Sequence, residues 1–256
     1  MKFGVCSAIE NIFKAESIGF DYLETNASKL AGLSEEEFQK QIETVKSAGI
    51  PCECFNVLFP KSMAVIGLHA NWEKIEVYLE LVFSRMERLG GKIAVFGSGK
   101  CRSCPEEISF AEGSRQLAEA VRRTGKIAAK HGITIVIEPL NQGETNLICS
   151  VLEGAMLMAE ANMENVQLLG DSFHMFQENE PLSNLSRVRC LTHTHVALRG
   201  SRAYPTEITE DLKDFFGQLE AIHYTGRMSI EGKTENFDTD APKALAVLRR
   251  LDAKLE

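Results

Sequence analysis

No stretch of this sequence approaches the roughly 20 continuous apolar residues that a membrane-spanning helix needs, and no run of lysine or arginine interrupts it. The first absence excludes a helical membrane span. The second bears on partners: Asp and Glu number 36 against 28 Lys and Arg, a net charge of −8. Such a chain repels nucleic-acid phosphate unless its cations gather on one face. The amino terminus, MKFGVCSAIENIF, is strand-like and broken by Glu10, so it does not read as a signal peptide. The cysteines (6, 52, 54, 101, 104, 149 and 190) are seven. An odd number in a chain of this size argues against a secreted disulfide framework and for a reducing, cytoplasmic setting. No Pro/Gly/Ser-rich linker divides the chain, so one domain is expected over 1–256. The GxGxxG fingerprint of an open dinucleotide-binding sheet does not follow the first strand.

What is present is ordinary globular material: 44% hydrophobic, 25% charged and 7% aromatic residues. Short apolar runs alternate with longer helical patterns. The expected strands are Lys2–Ser7, Tyr22–Thr25 (in the run FDYLET), Cys52–Leu58, Ile93–Phe96, Thr134–Glu138, Val166–Gly170, Cys190–Val196 and Met228–Glu231. Most are rich in Val, Ile, Phe or Leu with little strict alternation, as strands of a parallel sheet buried on both faces are. Between them, Ser34-Glu-Glu-Glu37 is a capping-box pattern, and Asn71 is placed to cap the helix that ends at Gly90. Phe110–Lys130, Leu152–Ala161 and Leu212–Ile222 have helical periodicity, and Pro242 suits a first helical turn. Leu182–Val188 is only weakly helical. Eight strand–helix units of about 32 residues each match the size of a βα unit. The count favours a closed (β/α)8 TIM barrel, α/β in class, over an open sheet.

The informative residues fall where strands end: Glu138-Pro-Leu-Asn141 after strand five, Asp171-Ser-Phe-His174 after strand six, His193-Thr-His195 on strand seven, and Ser229-Ile-Glu231-Gly232 on strand eight. The carboxyl ends of barrel strands form one face, where active sites sit. Glu138, Asp171, a histidine of strand seven and Glu231 would therefore converge. Crowded carboxylates repel and raise one another's pKa values, a conflict that a divalent cation removes. Two glutamates, an aspartate and one imidazole suit Mn²⁺, with Mg²⁺, Co²⁺ or Zn²⁺ as alternatives.

With EPLNQGETN at 138–146, DSFHM at 171–175, HTH at 193–195 and SIEG at 229–232, the chain resembles the xylose-isomerase-like barrels of the sugar phosphate isomerase/epimerase group. Within it, the chain looks most like the D-tagatose and D-psicose 3-epimerases. That resemblance implies Glu138, Asp171, His195 and Glu231 as ligands of one metal ion, with Glu138 and Glu231 as the acid–base pair. The chemistry asks for such a pair: removing a proton beside a carbonyl makes an enediolate, and epimerisation needs a base on one face and an acid on the other.

The resemblance further implies that His174 and Glu144 touch substrate hydroxyls. The alternatives are a hydrogen bond from His174 that orients a carboxylate, and a helix first-turn acid for Glu144. His193 lies about 7 Å deeper than His195 by strand rise and reads as a buried, hydrogen-bonded histidine. The family places an arginine six residues after its ligand histidine. Here that position is Ser201, so Arg202 is the expected substrate arginine and Arg199 the alternative.

Phe96-Gly-Ser-Gly99-Lys-Cys-Arg102 reads as a tight βα turn, with a phosphate cradle as the alternative. Cys101 and Cys104, like Cys52 and Cys54, match no zinc module and are expected to be free. His69 is expected on the surface.

The expected activity is metal-dependent proton transfer on a ketose or ketose phosphate, most simply C3 epimerisation. Inosose dehydratase or isomerase and hydroxypyruvate isomerase chemistry are alternatives. An abasic-site endonuclease and a non-catalytic sugar-binding barrel rank lower. The expected partners are a small sugar and, in a homodimer or homotetramer, further copies of the chain; nucleic acid and membrane are not expected.

Overall fold

The computed structural model describes residues 1–188 and 190–253. Its strands are β1 (Lys2–Cys6), β2 (Tyr22–Asn26), β3 (Cys52–Asn56), β4 (Ile93–Phe96), β5 (Thr134–Ile137), β6 (Val166–Asp171), β7 (Leu191–Val196) and β8 (Arg227–Ile230). All are parallel, each pairs with the next, and β8 pairs back onto β1, so the sheet closes as the (β/α)8 TIM barrel expected from the sequence.

The helices are α1 (Ile12–Ile18), α2 (Ala27–Leu30), α3 (Glu35–Ser47), α4 (Trp72–Arg88), α5 (Gly99–Arg102), α6 (Phe110–Lys130), α7 (Val151–Ala161), α8 (Ser172–Gln177), α9 (Glu210–Ala221) and α10 (Phe237–Asp252). Their starts follow local chemistry. Ser34 Oγ accepts from the Glu37 amide while the Glu37 carboxylate accepts from the Ser34 amide, which closes the capping box of α3. Asn71 caps α4 with a single bond, its Oδ1 accepting from the Lys74 amide. The weak helical signal over Leu182–Val188 is a 3₁₀ segment, Leu182–Arg187. Among the described residues no helix is long and apolar enough to cross a membrane.

Two expectations shift. Pro242 is not in the first turn of the last helix: Asn236 caps α10 by accepting from the Asp238 amide, so the helix begins five residues before the proline. There Pro242 costs the helix the bond its missing N–H would have made to the Asp238 carbonyl. The strand ladders of β5 and β8 stop at Ile137 and Ile230, one residue short of Glu138 and Glu231. Each glutamate is still tied to the neighbouring strand by one backbone bond, Glu138 N to Phe96 O at 3.3 Å and Glu231 N to Val196 O at 3.2 Å.

Strand parity explains why these side chains share the barrel axis. Residues two apart point the same way. Val136 leads to Glu138, Leu169 to Asp171, His193 to His195, and Ser229 to Glu231. Below that polar layer, Tyr22, Cys54, Ile93, Val95, Val136 and Leu169 form an apolar cluster of their own, distinct from the main core. Gly4 makes room for it, because a Cβ there would meet the Tyr22 ring at 2.3 Å.

Candidate active site

Glu138, Asp171, His195 and Glu231 each bring one donor atom to a common point, with these atoms all within 4.8 Å of one another. Register sets the heights: Asp171 on β6 is paired with His195 on β7. His195 Nδ1 lies 3.2 Å from Glu138 Oε1, 3.5 Å from Glu231 Oε2 and 3.9 Å from Asp171 Oδ2. His195 is wholly buried, and Glu138 and Asp171 nearly so. The other ring nitrogen of His195 faces away from this group, 3.0 Å from Glu24 Oε1.

The charges are far from their ordinary behaviour. Burial pushes the Asp171 carboxyl up to about 6, against the lowering pull of His195 and with added repulsion from Glu231. Burial and the Glu231 charge also raise Glu138. Burial would raise Glu231 too, but His195 and Arg202 outweigh it and hold that carboxyl well below the usual range. Burial disfavours a charged His195, yet the carboxylates of Glu24 and Glu231 overcome it and raise the imidazole well above its ordinary value.

A divalent ion would satisfy the same carboxylates in place of the Nδ1 proton. One further observation fits: Asp171 Oδ2 is buried with no hydrogen-bond partner, an acceptor that costs about 1–3 kcal/mol if left so. The donor set, three carboxylates and one imidazole, suits an ion of intermediate hardness.

The outer residues are gathered at the same point. The Asn141 amide and side-chain nitrogen lie 3.1 and 2.8 Å from His174 Nδ1. Both are donors, so Nδ1 accepts and the ring hydrogen sits on Nε2. That Nε2 is buried, has no hydrogen-bond partner, and lies 3.7 Å from Asp171 Oδ2. Glu144 lies in a turn well before α7, so it is not a helix first-turn acid; it pairs with Arg202 at 3.1 Å.

The two arginines of the loop after β7 separate cleanly. Arg202 reaches Glu231 Oε2 at 2.6 Å and its guanidinium lies over the Phe173 ring. Arg199 turns outward, onto Asp211 at 2.9 Å and the Phe176 carbonyl. His193 is fully buried and bonded to Glu24 Oε2 at 2.8 Å, outside the four-donor group.

A cavity of about 340 Å³ opens onto Glu138, Glu144, Arg202 and Glu231, walled by Val57, Phe59, Ser98 and Leu140. A larger groove of about 820 Å³ lies outside the barrel against α6 and α7 and contains none of the four converging donors, whereas Glu138 and Glu231 line the smaller cavity. Val57, Ser98 and Arg202, all lining the smaller cavity, have positive φ angles of 48°, 47° and 54°. Such backbone costs about 1–3 kcal/mol per residue and gathers at functional sites.

The glycine-rich turn after β4 serves close approach. A Cβ on Gly97 would sit 2.1 Å from Glu138 Oε2, and one on Gly99 would sit 2.5 Å from the Glu144 carbonyl oxygen. Arg102 in the same turn is fully buried and donates to the Glu138 carbonyl at 2.7 Å, so it does not meet an anion in the cavity. Cys101 and Cys104 are free thiols turned to backbone carbonyls. Neither joins a metal-competent cluster among the described residues. His69 is in an exposed turn.

Two supporting residues were not among those expected from the sequence. Glu24 on β2 bonds both histidines of the HTH motif and Ser229. Asn56 at the end of β3 donates to Glu231 Oε1 at 2.9 Å. Glu24 did carry a signal: a carboxylate at the axis-facing parity of a buried strand must find partners.

Fold and site together define an α/β barrel with a buried carboxylate–histidine centre at the carboxyl ends of its last four strands. Residues 12–251 match the family described as "Xylose isomerase-like TIM barrel", and the chain belongs to that family. Over 130 residues it is 29% identical to the 3-dehydro-D-guloside 4-epimerase of Escherichia coli (strain K12), covering 50% of this chain and 49% of that enzyme. Over 143 residues it is 31% identical to the L-ribulose 3-epimerase of Methylomonas sp. (strain DH-1), covering 55% and 50%. The matches thus span about half the length of these relatives. The crystal structure of a D-psicose 3-epimerase in the presence of D-fructose superposes with a TM-score of 0.85 over 98% of this chain and 99% of that one, at 22% identity, a likeness of fold.

Proposed function

We propose that this chain is a divalent-metal-dependent sugar epimerase that moves a proton at the carbon beside the carbonyl of a ketose, most simply inverting C3. The observation that carries the reading is the convergence of Glu138, Asp171, His195 and Glu231 on one buried point beside the cavity. Those four residues would hold the ion, Mn²⁺ by donor type, which when bound supplies Lewis-acid stabilisation of the enediolate. The rest falls to the protein. One glutamate takes the proton from C3 and the other returns one to the opposite face. Bound to the ion, the Glu138 and Glu231 carboxylates would both be held ionised and oriented, Glu231 also by Arg202 and Asn56. His174 offers its Nε2–H to a substrate oxygen, and Arg202, with Glu144, fixes a neighbouring hydroxyl. Burial excludes water from the carbanionic carbon.

A second reading is favoured by Lys61 and Lys100. Both line the cavity, and neither has a carboxylate within ion-pair distance among the described residues. Uncompensated ammoniums at the mouth suit a ketose phosphate whose anionic end lies away from the reacting carbon.

The test is deuterium incorporation. Mn²⁺-loaded and chelator-stripped protein is incubated in D₂O with ketohexoses, ketopentoses, their phosphates and an inosose, and the ion is removed before NMR. Metal-dependent label at C3 is expected. Label at C1 of the ketose or at C2 of its aldose product would instead indicate aldose–ketose isomerisation, and no label in any compound would overturn the proposal. For the second reading, K61M/K100M should raise KM for the phosphate and leave the free ketose unaffected.

A further inference from the structure

We infer that Glu24 is the positioning residue of the metal-binding histidine: it fixes hydrogen on His195 Nε2 and so keeps the Nδ1 lone pair aimed at the Glu138–Asp171–Glu231 group. This rests on the proposed ion at that group, and is independent of which sugar reacts.

Donor and acceptor bookkeeping carries the argument. Glu24 is completely buried in the barrel, on the strand β2 that lies across the axis from the site. Its Oε1 lies 3.0 Å from His195 Nε2. Its Oε2 lies 2.8 Å from His193 Nε2 and accepts from Ser229 Oγ at 2.6 Å. An ionised carboxylate has no hydrogen to give, so all three neighbours donate. Ser229 has spent its one hydrogen on Glu24, so the Tyr22 hydroxyl, 2.8 Å away, donates to Ser229. The direction of every bond in this buried chain follows, and with it the tautomer: His195 carries hydrogen on Nε2, leaving Nδ1 to coordinate.

The His193 ring, 5.0 Å away and edge-on to His195, confines that imidazole sterically. A ring flip would put Cδ2 where Nδ1 faces the carboxylates and Cε1 where Nε2 meets Glu24, and so forfeit both the hydrogen bond and the ligand geometry. A carboxylate behind a ligating histidine also makes the nitrogen that faces the metal more basic.

The same bookkeeping disposes of two neighbouring donor groups, Cys6–Glu24–His195 and Glu24–Cys54–His193. An ion at either would need Glu24 oxygens already committed to three buried donors. Neither group is therefore free to hold a second ion.

The experiment reads metal binding directly, on the full chain, with Mn²⁺ titrated calorimetrically into wild type, E24Q and S229A. E24Q keeps the shape and removes the charge; S229A removes one donor and leaves the His195–Glu24 bond intact. The Mn²⁺ dissociation constant is expected to rise about 10- to 100-fold in E24Q, the usual cost of losing such a partner. S229A should stay within a few-fold of wild type, with one ion bound by wild type. In parallel, long-range ¹H–¹⁵N spectra of Zn²⁺-loaded wild type should show His195 with its hydrogen on Nε2, protected from exchange. That measurement stands even where E24Q does not fold. Hydrogen on Nδ1, an E24Q affinity within twofold of wild type, or an equal loss in S229A would each overturn the assignment. A wild type that binds no ion overturns the metal reading as well, and so is distinguishable from failure of the Glu24 role alone.

Discussion

The two halves of the barrel divide the labour unequally. Strands β5 to β8 supply every donor of the four-residue centre: Glu138, Asp171, His195 and Glu231. Strands β1 to β4 supply none of them, but hold what those donors lean on. Glu24 backs His195, Asn56 ties Glu231, and Gly97 clears the space that the Glu138 carboxylate fills. On the proposed function, the chemistry falls to one half and its positioning to the other. Changes in the second half should therefore abolish function, while changes in the first half should weaken it by degrees.

The largest effect expected on that contrast is at Glu138. E138Q should cut metal-dependent deuterium exchange by at least about 10²- to 10⁴-fold, the range for losing a general acid or base, and weaken Mn²⁺ binding in the same protein. Exchange at the wild-type rate would sink the acid–base assignment. Next comes the pair of arginines in the loop after β7. R202A removes the partner of the largely buried Glu231 and should lower kcat/KM about 100-fold, since truncating one member of such a pair costs about 2–5 kcal/mol. R199A loses outward contacts, the pair with Asp211, both side chains of which are more than a third exposed, and the bond to the Phe176 carbonyl. It should leave kcat/KM unchanged and shift stability by at most about 1 kcal/mol. Steady-state kinetics on the two variants decides; equal losses would mean that the loop acts as a unit and that the assignment to Arg202 is wrong.

In the first half, N56A removes a hydrogen bond to a charged oxygen of Glu231 that Arg202 still holds from the other side. A loss of about tenfold in kcat is expected, the lower end for a bond to a charged group, with KM little changed. A loss as large as that of E138Q would erase the distinction between the halves.

The same division governs what could be read from the sequence. The second-half residues announce themselves because residue type and place coincide: EPLN, DSFH, HTH and SIEG put acids and imidazoles at four successive strand ends, where a barrel gathers them. Arg202 over Arg199 was legible only as a preference, since the choice depends on a positive-φ turn that aims one guanidinium inward. Glu24 and Asn56 act through partners 171 and 175 residues away, and closure of the barrel alone brings them together. The FDYLET run reads as a strand, but nothing local to it says which histidine its glutamate will meet. Pro242 misled for a local reason: a first-turn proline is a good helix-start signal, and Asn236, whose side chain makes the actual cap, is the weaker mark in sequence.

The smallest effect expected is thermodynamic, and it tests whether the second half is built for an ion at all. Asp171 has a carboxyl pushed up to about 6, from an ordinary value near 3.8, chiefly by burial. A raised carboxyl binds its proton more tightly folded than unfolded. Its contribution to stability is therefore fully present below about pH 3.8 and is lost as pH rises through 6. Above that, the metal-free fold carries a buried negative charge that the unfolded chain exposes to water. A divalent ion relieves that burden only where it exists, and below pH 6 it must also displace the proton. The rise in Tm caused by saturating Mn²⁺ should thus be larger at pH 7.5 than at pH 5, by several degrees. About 1 kcal/mol moves Tm by roughly 2–4 °C in a chain of 150–250 residues. Calorimetric scans at the two pH values, each with ion and with chelator, measure it. D171N removes that carboxyl and with it one of the four donors, so it should show little Tm rise at either pH. An equal Tm rise at both pH values in the wild type would mean that Asp171 does not carry the buried charge, and that the centre is balanced by its other residues.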